Sequence, residues 1–228
     1  MNLDFDKEIE RIIREKKETS PKVLNEIHRV RKKENEFIVM ELRNAGFKVS
    51  DLFDLINFKQ TDFEYVNLLI NLFDSEKVTD PIIKDGIIRA ITVKKAKGIA
   101  EIKLLEFYNS LKTEREKESI GWSIGNWFEN LYSDLYFEQI KKISEDKNNG
   151  MSRQMFVMAI GKTKKHKLNA EKLLLELTFD NQVALHAISS LGKLKSTNSI
   201  ERLTELTNDK NKTIKKEANK ALKKITAE

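Results

Sequence analysis

The sequence predicts an all-α fold made of stacked helix pairs. Three observations point there. Residues 151–164, 182–195 and 213–226 read MSRQMFVMAIGKTK, QVALHAISSLGKLK and TIKKEANKALKKIT, one short amphipathic helix written three times at a step of 31 residues. Each copy follows a second amphipathic segment, so the repeated unit is a helix pair. The 228 residues include only 2 prolines and 8 glycines, the residues that interrupt helices most.

Residues 1–60 do not fit the repeat. Ser20 and Pro21 open a helix that runs toward Gly46, with a polar middle at RKKENE (31–36). Ser50 opens a second, short helix at DLFDLINF. A stack of repeats has an open end, and a terminal unit that covers it reads as a helical N-terminal cap. A separate docking helix is the other reading.

Five pairs follow in one continuous domain, over about 61–93, 98–130, 132–164, 168–195 and 198–226. The first pair joins TDFEYVNLLINLF (61–73) to DPIIKDGIIRAIT (80–92). Asp80 before Pro81 sets a good N-cap ahead of proline at the first helical position. Thr61 with Glu64, and Thr113 with Glu116, have capping-box spacing. The second pair joins GIAEIKLLEFYNSL (98–111) to EKESIGWSIGNWF (116–128), after Gly98 closes a helix end. YSDLYFEQIKKISED (132–146) precedes the helix at 151–164. AEKLLLELTFD (170–180) and SIERLTELTND (199–209) end on Asp180 and Asp209, and two extra residues in the later turn absorb the difference in step.

Aligning the copies on Gly161, Gly192 and Lys223 brings Ile160, Leu191 and Leu222 into one column. Phe156, Ala187 and Ala218 form a second, and Ala159, Ser190 and Ala221 a third. Spacings of three and four place them on one helical face. Ile124 and Gly125 occupy the same slots one pair earlier. A glycine near a helix end costs up to about 1 kcal/mol of propensity, which close approach of the next helix offsets. Gly121 and Gly125 read the same way.

The stretch LLLELTFDNQVALHAISSLGKLKSTNSIERLTELTNDKNKTIKKEANKALKKI resembles HEAT-type repeats, in particular the short PBS-lyase HEAT-like form. The D-x-x-V, A-x-x-x-L-G-K-L and A-x-x-x-L elements carry the likeness, which is good over about 140–226 and weaker over 61–139. ELRNAGFKVSDLFDLIN (41–57) is similar to the opening of uncharacterised bacterial HEAT-repeat proteins. The resemblance implies a right-handed α-solenoid of about five HEAT-like pairs that binds other macromolecules; it implies little more about function.

Charge and composition narrow the class. Forty-two basic against 36 acidic residues give a net +6, and most of the basic residues are lysine. Lysine is a hydrated point charge, and arginine the fork that grips phosphate. With no cysteine, disulfides, thiolate zinc sites and cysteine nucleophiles are excluded. The N-terminus lacks the basic start and apolar centre of a signal peptide. No run of about 18 apolar residues occurs, so neither a span nor a membrane partner is expected, and the cytoplasm is the expected location. His28, His166 and His186 are scattered, and none precedes a glutamate as in di-iron repeat enzymes. No phosphate-binding loop or nucleophile elbow occurs. No catalytic residue, metal or cofactor is expected, and the chain reads as a non-catalytic scaffold.

The candidate binding surface follows from the register. In a helical solenoid the second helices line the concave side, and the residue two positions before the core residue points about 200° away from it. That column is Arg89, Trp122, Met158, Ser189 and Lys220. Asp85, Glu118, Gln154, Leu185 and Lys216 lie one turn earlier, and Val93, Asn126, Lys162, Lys193 and Lys224 one turn later. Trp122 lies off its helix's core stripe of Ile120, Ile124, Trp127 and Leu131, so it is either an anchor for a protein or peptide or is covered by a neighbouring helix. Phe128, Tyr132, Tyr136 and Phe137 read as core. A second candidate is a rim of lysines at second-helix ends: Lys94, Lys95, Lys97, Lys164, Lys165, Lys167, Lys195, Lys223 and Lys224. Lysine there favours the helix dipole by about 0.3–1 kcal/mol without any function. The rim alternatively tracks phosphates, as in HEAT-like DNA alkylation-repeat proteins. Glu129 and Asp134 interrupt it. A protein or peptide is the first expectation and nucleic acid the second; the oligomeric state stays open.

Overall fold

The computed structural model describes residues 21–57 and 63–227, with only the backbone of Arg115 and Ser119. Residues 1–20 and 58–62 of the expected cap and first repeat lie outside the described residues, as do Ser20 and the Thr61 half of one capping box.

Among the described residues every regular element is helical. They are α1 (Pro21–Asn44), α2 (Phe63–Phe73), α3 (Pro81–Ala90), α4 (Glu101–Ser110), α5 (Glu114–Asn130), α6 (Phe137–Glu145), α7 (Gln154–Ile160), α8 (Lys167–Leu177), α9 (Ala184–Leu194), α10 (Ile200–Leu206) and α11 (Lys212–Thr226). Short 3-10 turns occupy Leu52–Asn57, Lys94–Ala96, Asp134–Tyr136, Lys147–Arg153 and Thr197–Ser199.

The local chemistry explains these boundaries. The Asp80 carboxylate accepts from the Ile82 and Ile83 amides at 2.8 and 3.2 Å, ahead of Pro81. Thr113 and Glu116 form a complete capping box, which satisfies two otherwise orphaned donors. Two expected ends differ. α8 and α10 stop at Leu177 and Leu206, three residues before Asp180 and Asp209. Thr178 and Thr207 turn their hydroxyls back onto Leu175 and Thr204 carbonyls at 2.8 and 2.7 Å, and the aspartates open the following turn. After Ser50 the chain makes a 3-10 turn closed by acids instead of a serine cap: Asp54 accepts from the Ser50 and Asp51 amides.

The helices pack as pairs: α2 with α3, α4 with α5, α6 with α7, α8 with α9, and α10 with α11. The second member of each pair then packs on the next second member, α3 on α5, α5 on α7, α7 on α9, and α9 on α11. First members meet more sparsely: α6 touches α8, and α8 touches the Thr197–Ser199 turn. One apolar core runs from Ile38 to Ala221. Trp127, Phe128 and Phe137 lie within it, and Tyr132 and Tyr136 pack on its margin.

Glycine sets how closely the second helices approach. A Cβ on Gly161 would lie 2.6 Å from Ser190 Cβ, and one on Gly192 2.8 Å from Ala221 Cα. Each glycine therefore meets the small residue of the next copy's third column. At the N-terminal side, buried Glu34 of α1 accepts from the Thr79 amide and hydroxyl and the Asp80 amide at 3.0, 2.6 and 2.9 Å. Arg31 adds a 3.2 Å contact to Asp80. These bonds tie α1 to the turn that starts α3.

Candidate functional site

Arg89, Trp122, Met158, Ser189 and Lys220 are all at least partly accessible in the structure, and the residues on either side of the first four are buried. Trp122 is 41% exposed. Trp127, five residues on, is fully buried and donates its indole N–H to the Ile91 carbonyl at 3.0 Å. The helix thus has one tryptophan for the core and one for the surface.

Several residues of the columns around Trp122 are held by the protein itself. Arg89 donates to Asp85 Oδ2 at 2.7 Å, and the other oxygen of Asp85 takes the buried Ser123 hydroxyl. Gln154 donates to the Gln182 carbonyl at 3.2 Å. Asn126 receives the Asn130 amide through its carbonyl and side-chain oxygens. Met158 accepts a long contact from Ser190. Glu118 is half-buried. Lys220 pairs with Glu217 at 3.2 Å. The surface is pre-organised by these bonds, and Trp122 is its largest exposed apolar group.

Lys162 and Lys193 share one acid. Both ammonium groups bind Glu129 Oε1, at 3.1 and 2.8 Å. Burial opposes ionisation of Glu129, but the two lysines outweigh it and hold the carboxyl below its ordinary value. Asp134 is engaged similarly: it accepts from the Thr163 and Tyr132 hydroxyls and the Lys164 amide. The two acids that interrupt the lysine row therefore join neighbouring pairs.

The rim lysines divide into groups. Lys94, Lys97, Lys162, Lys164 and Lys165 line a cavity of about 710 Å³ around the 130–135 turn, with Leu135 and Asp134. Lys97 donates to the Tyr132 carbonyl at 2.7 Å. Lys220 and Lys223 lie with Lys212, Lys215, Lys216 and Asn219 beside a shallow hollow of about 450 Å³ on α11. No residue lines both. Lys95, Lys167, Lys195 and Lys224 are exposed outside them, with Lys195 in the left-handed conformation that ends α9.

Arg153 was not marked by the sequence pattern. Its fully buried guanidinium donates to the Gly150 and Ser144 carbonyls and to Asp180 Oδ2 and Gln182 Oε1, the last two at 2.9 Å. Beside it, Tyr108 bonds Ser152 at 2.7 Å, and burial pushes its hydroxyl up to about 12. His186 is largely covered, its Nδ1 has no partner, and burial lowers its pKa. Arg153 and Tyr108 hold neighbouring pairs together. Among the described residues no cluster of His, Asp and Glu is arranged to hold a metal, and no helix is long and apolar enough to cross a membrane.

No family model matches the chain, and no curated protein or solved structure does either.

Proposed function

We propose that the chain is a right-handed α-solenoid of HEAT-like pairs, and that it acts as a scaffold binding a protein or peptide along its second helices. The serial packing of α3, α5, α7, α9 and α11 supports the solenoid, as do the glycine-to-small-residue contacts repeated at Gly161 and Gly192. The observation that carries the binding role is Trp122, 41% exposed between Arg89 on α3 and Met158 on α7. An exposed tryptophan on a rigid helix loses little entropy when a partner covers it, and such residues dominate binding energy at interfaces.

The test is selection from a displayed random-peptide library on the folded protein, followed by binding to Trp122→Ala. Peptides that bind the parent and lose at least about tenfold in affinity on the variant are expected, since an anchor of this kind contributes roughly 2 kcal/mol. Peptides that bind both equally would place recognition elsewhere. Circular dichroism of the variant should match the parent, because Trp122 lies off the core stripe.

A further inference from the structure

Four large aliphatic residues stand out of the protein in a regular row. Ile102, Leu135, Leu168 and Ile200 are 58%, 80%, 78% and 37% exposed. Their spacing is 33, 33 and 32 residues, the repeat step, and each lies at or just before the start of a first helix. The junctions that carry them are bonded side by side. Lys97 reaches the Tyr132 carbonyl, Asp134 takes the Thr163 hydroxyl, and Glu171 takes the Asn198 amide at 2.7 Å. The row therefore runs along one edge.

The same edge is basic. Lys94, Lys97, Lys162, Lys164 and Lys165 surround the cavity that includes Leu135, and Lys167 adjoins Leu168. Four of the acids nearby are engaged by the protein itself, while Glu138 and Glu201 remain exposed. Glu101 accepts from the Gly98 amide, Glu171 from Ser196 and Asn198, and Glu129 and Asp134 are held as described. Lys94, Lys95, Lys164, Lys165 and Lys167 have no carboxylate within ion-pair distance among the described residues.

We infer that this edge docks on an anionic lipid surface, with the aliphatic tips entering the acyl boundary and the lysines at the headgroups. Side chains that protrude one per repeat give a peptide no continuous apolar groove, and the cavity beside Leu135 is lined by five lysines, whereas a fluid bilayer accepts protruding apolar groups without a pocket. Lysines beside them follow the attraction of basic clusters to anionic headgroups. The expectation of no membrane partner rested on the lack of a spanning segment, which does not bear on surface docking. This edge is independent of Trp122 and stands whether or not the peptide reading holds.

The test is co-sedimentation of the full chain with vesicles of phosphatidylcholine alone and of an equimolar mixture with phosphatidylglycerol. Binding to the mixed vesicles alone is expected, weakening as salt rises. Leu135→Ser with Leu168→Ser, both solvent-facing and so neutral to folding, should weaken it at least about tenfold at fixed salt. Trp122→Ala should not change it. Absence from the mixed vesicles at low salt would overturn the inference. So would binding unchanged by the double substitution, or a preference for duplex DNA that the two serines leave intact, since either result would reduce the edge to its charge.

Discussion

Arg153 shows what a single residue can hold. It serves the Gly150 carbonyl of its own turn, the Ser144 carbonyl at the end of α6 and two side chains of the next pair, Asp180 and Gln182, with no solvent contact. Removing one partner of such a buried pair costs about 3–5 kcal/mol. Asp180 keeps some access to water, so Arg153→Met is expected at the low end, about 3 kcal/mol, read as a lower urea midpoint at unchanged slope. The residue was invisible in the repeat because its register partner Ala184 is small and apolar, and Lys215, though also cationic, lies exposed on the last helix. A residue used in one copy leaves no periodic trace. Gly161 and Gly192 were legible for the opposite reason, since the same close approach recurs at the same slot.

Helices with a clear apolar stripe were legible within a few residues. Those at 81–90, 114–130, 184–194 and 212–226 match the segments read from periodicity, and the Asp80 and Thr113 caps formed as their spacing required. The 3-10 turns at Asp134–Tyr136, Lys147–Arg153 and Thr197–Ser199 were not legible. They are too short to show a period, and local bonds such as Asp146 to the Asn148 amide shape them. The aliphatic row lies at the starts of first helices, outside the columns that the repeated second helices define. Packing between elements gives a direct test. Gly161→Ala puts a methyl against Ser190 and should cost about 1–2 kcal/mol, overpacking set against a gain in helix propensity. Adding Ser190→Gly removes the opposing Cβ and Oγ and leaves the Cα at 2.8 Å. Thermal unfolding of the double variant should show less loss than the sum of the two single ones.

Across the whole molecule, most packing is between neighbours in the stack, and Glu129 is an exception. It belongs to α5, yet it holds Lys162 after α7 and Lys193 on α9. Two helix widths of packing separate α5 from α9 at roughly 8–10 Å each, so one carboxylate can bridge them only if those helix ends lean together. Glu129 then acts as a bowstring: it sets how tightly the stack is drawn at that edge. Glu129→Gln should slacken it and raise the radius of gyration measured by small-angle scattering, with helicity unchanged. Acid should do the same. The Glu129 carboxyl titrates below 4.5 when folded, so its contribution is complete above that pH and lost as pH falls through the lower, folded value. A stack strung this way ties three successive pairs through one replaceable charge, and the distance between those helix ends becomes adjustable without moving any helix out of its pair.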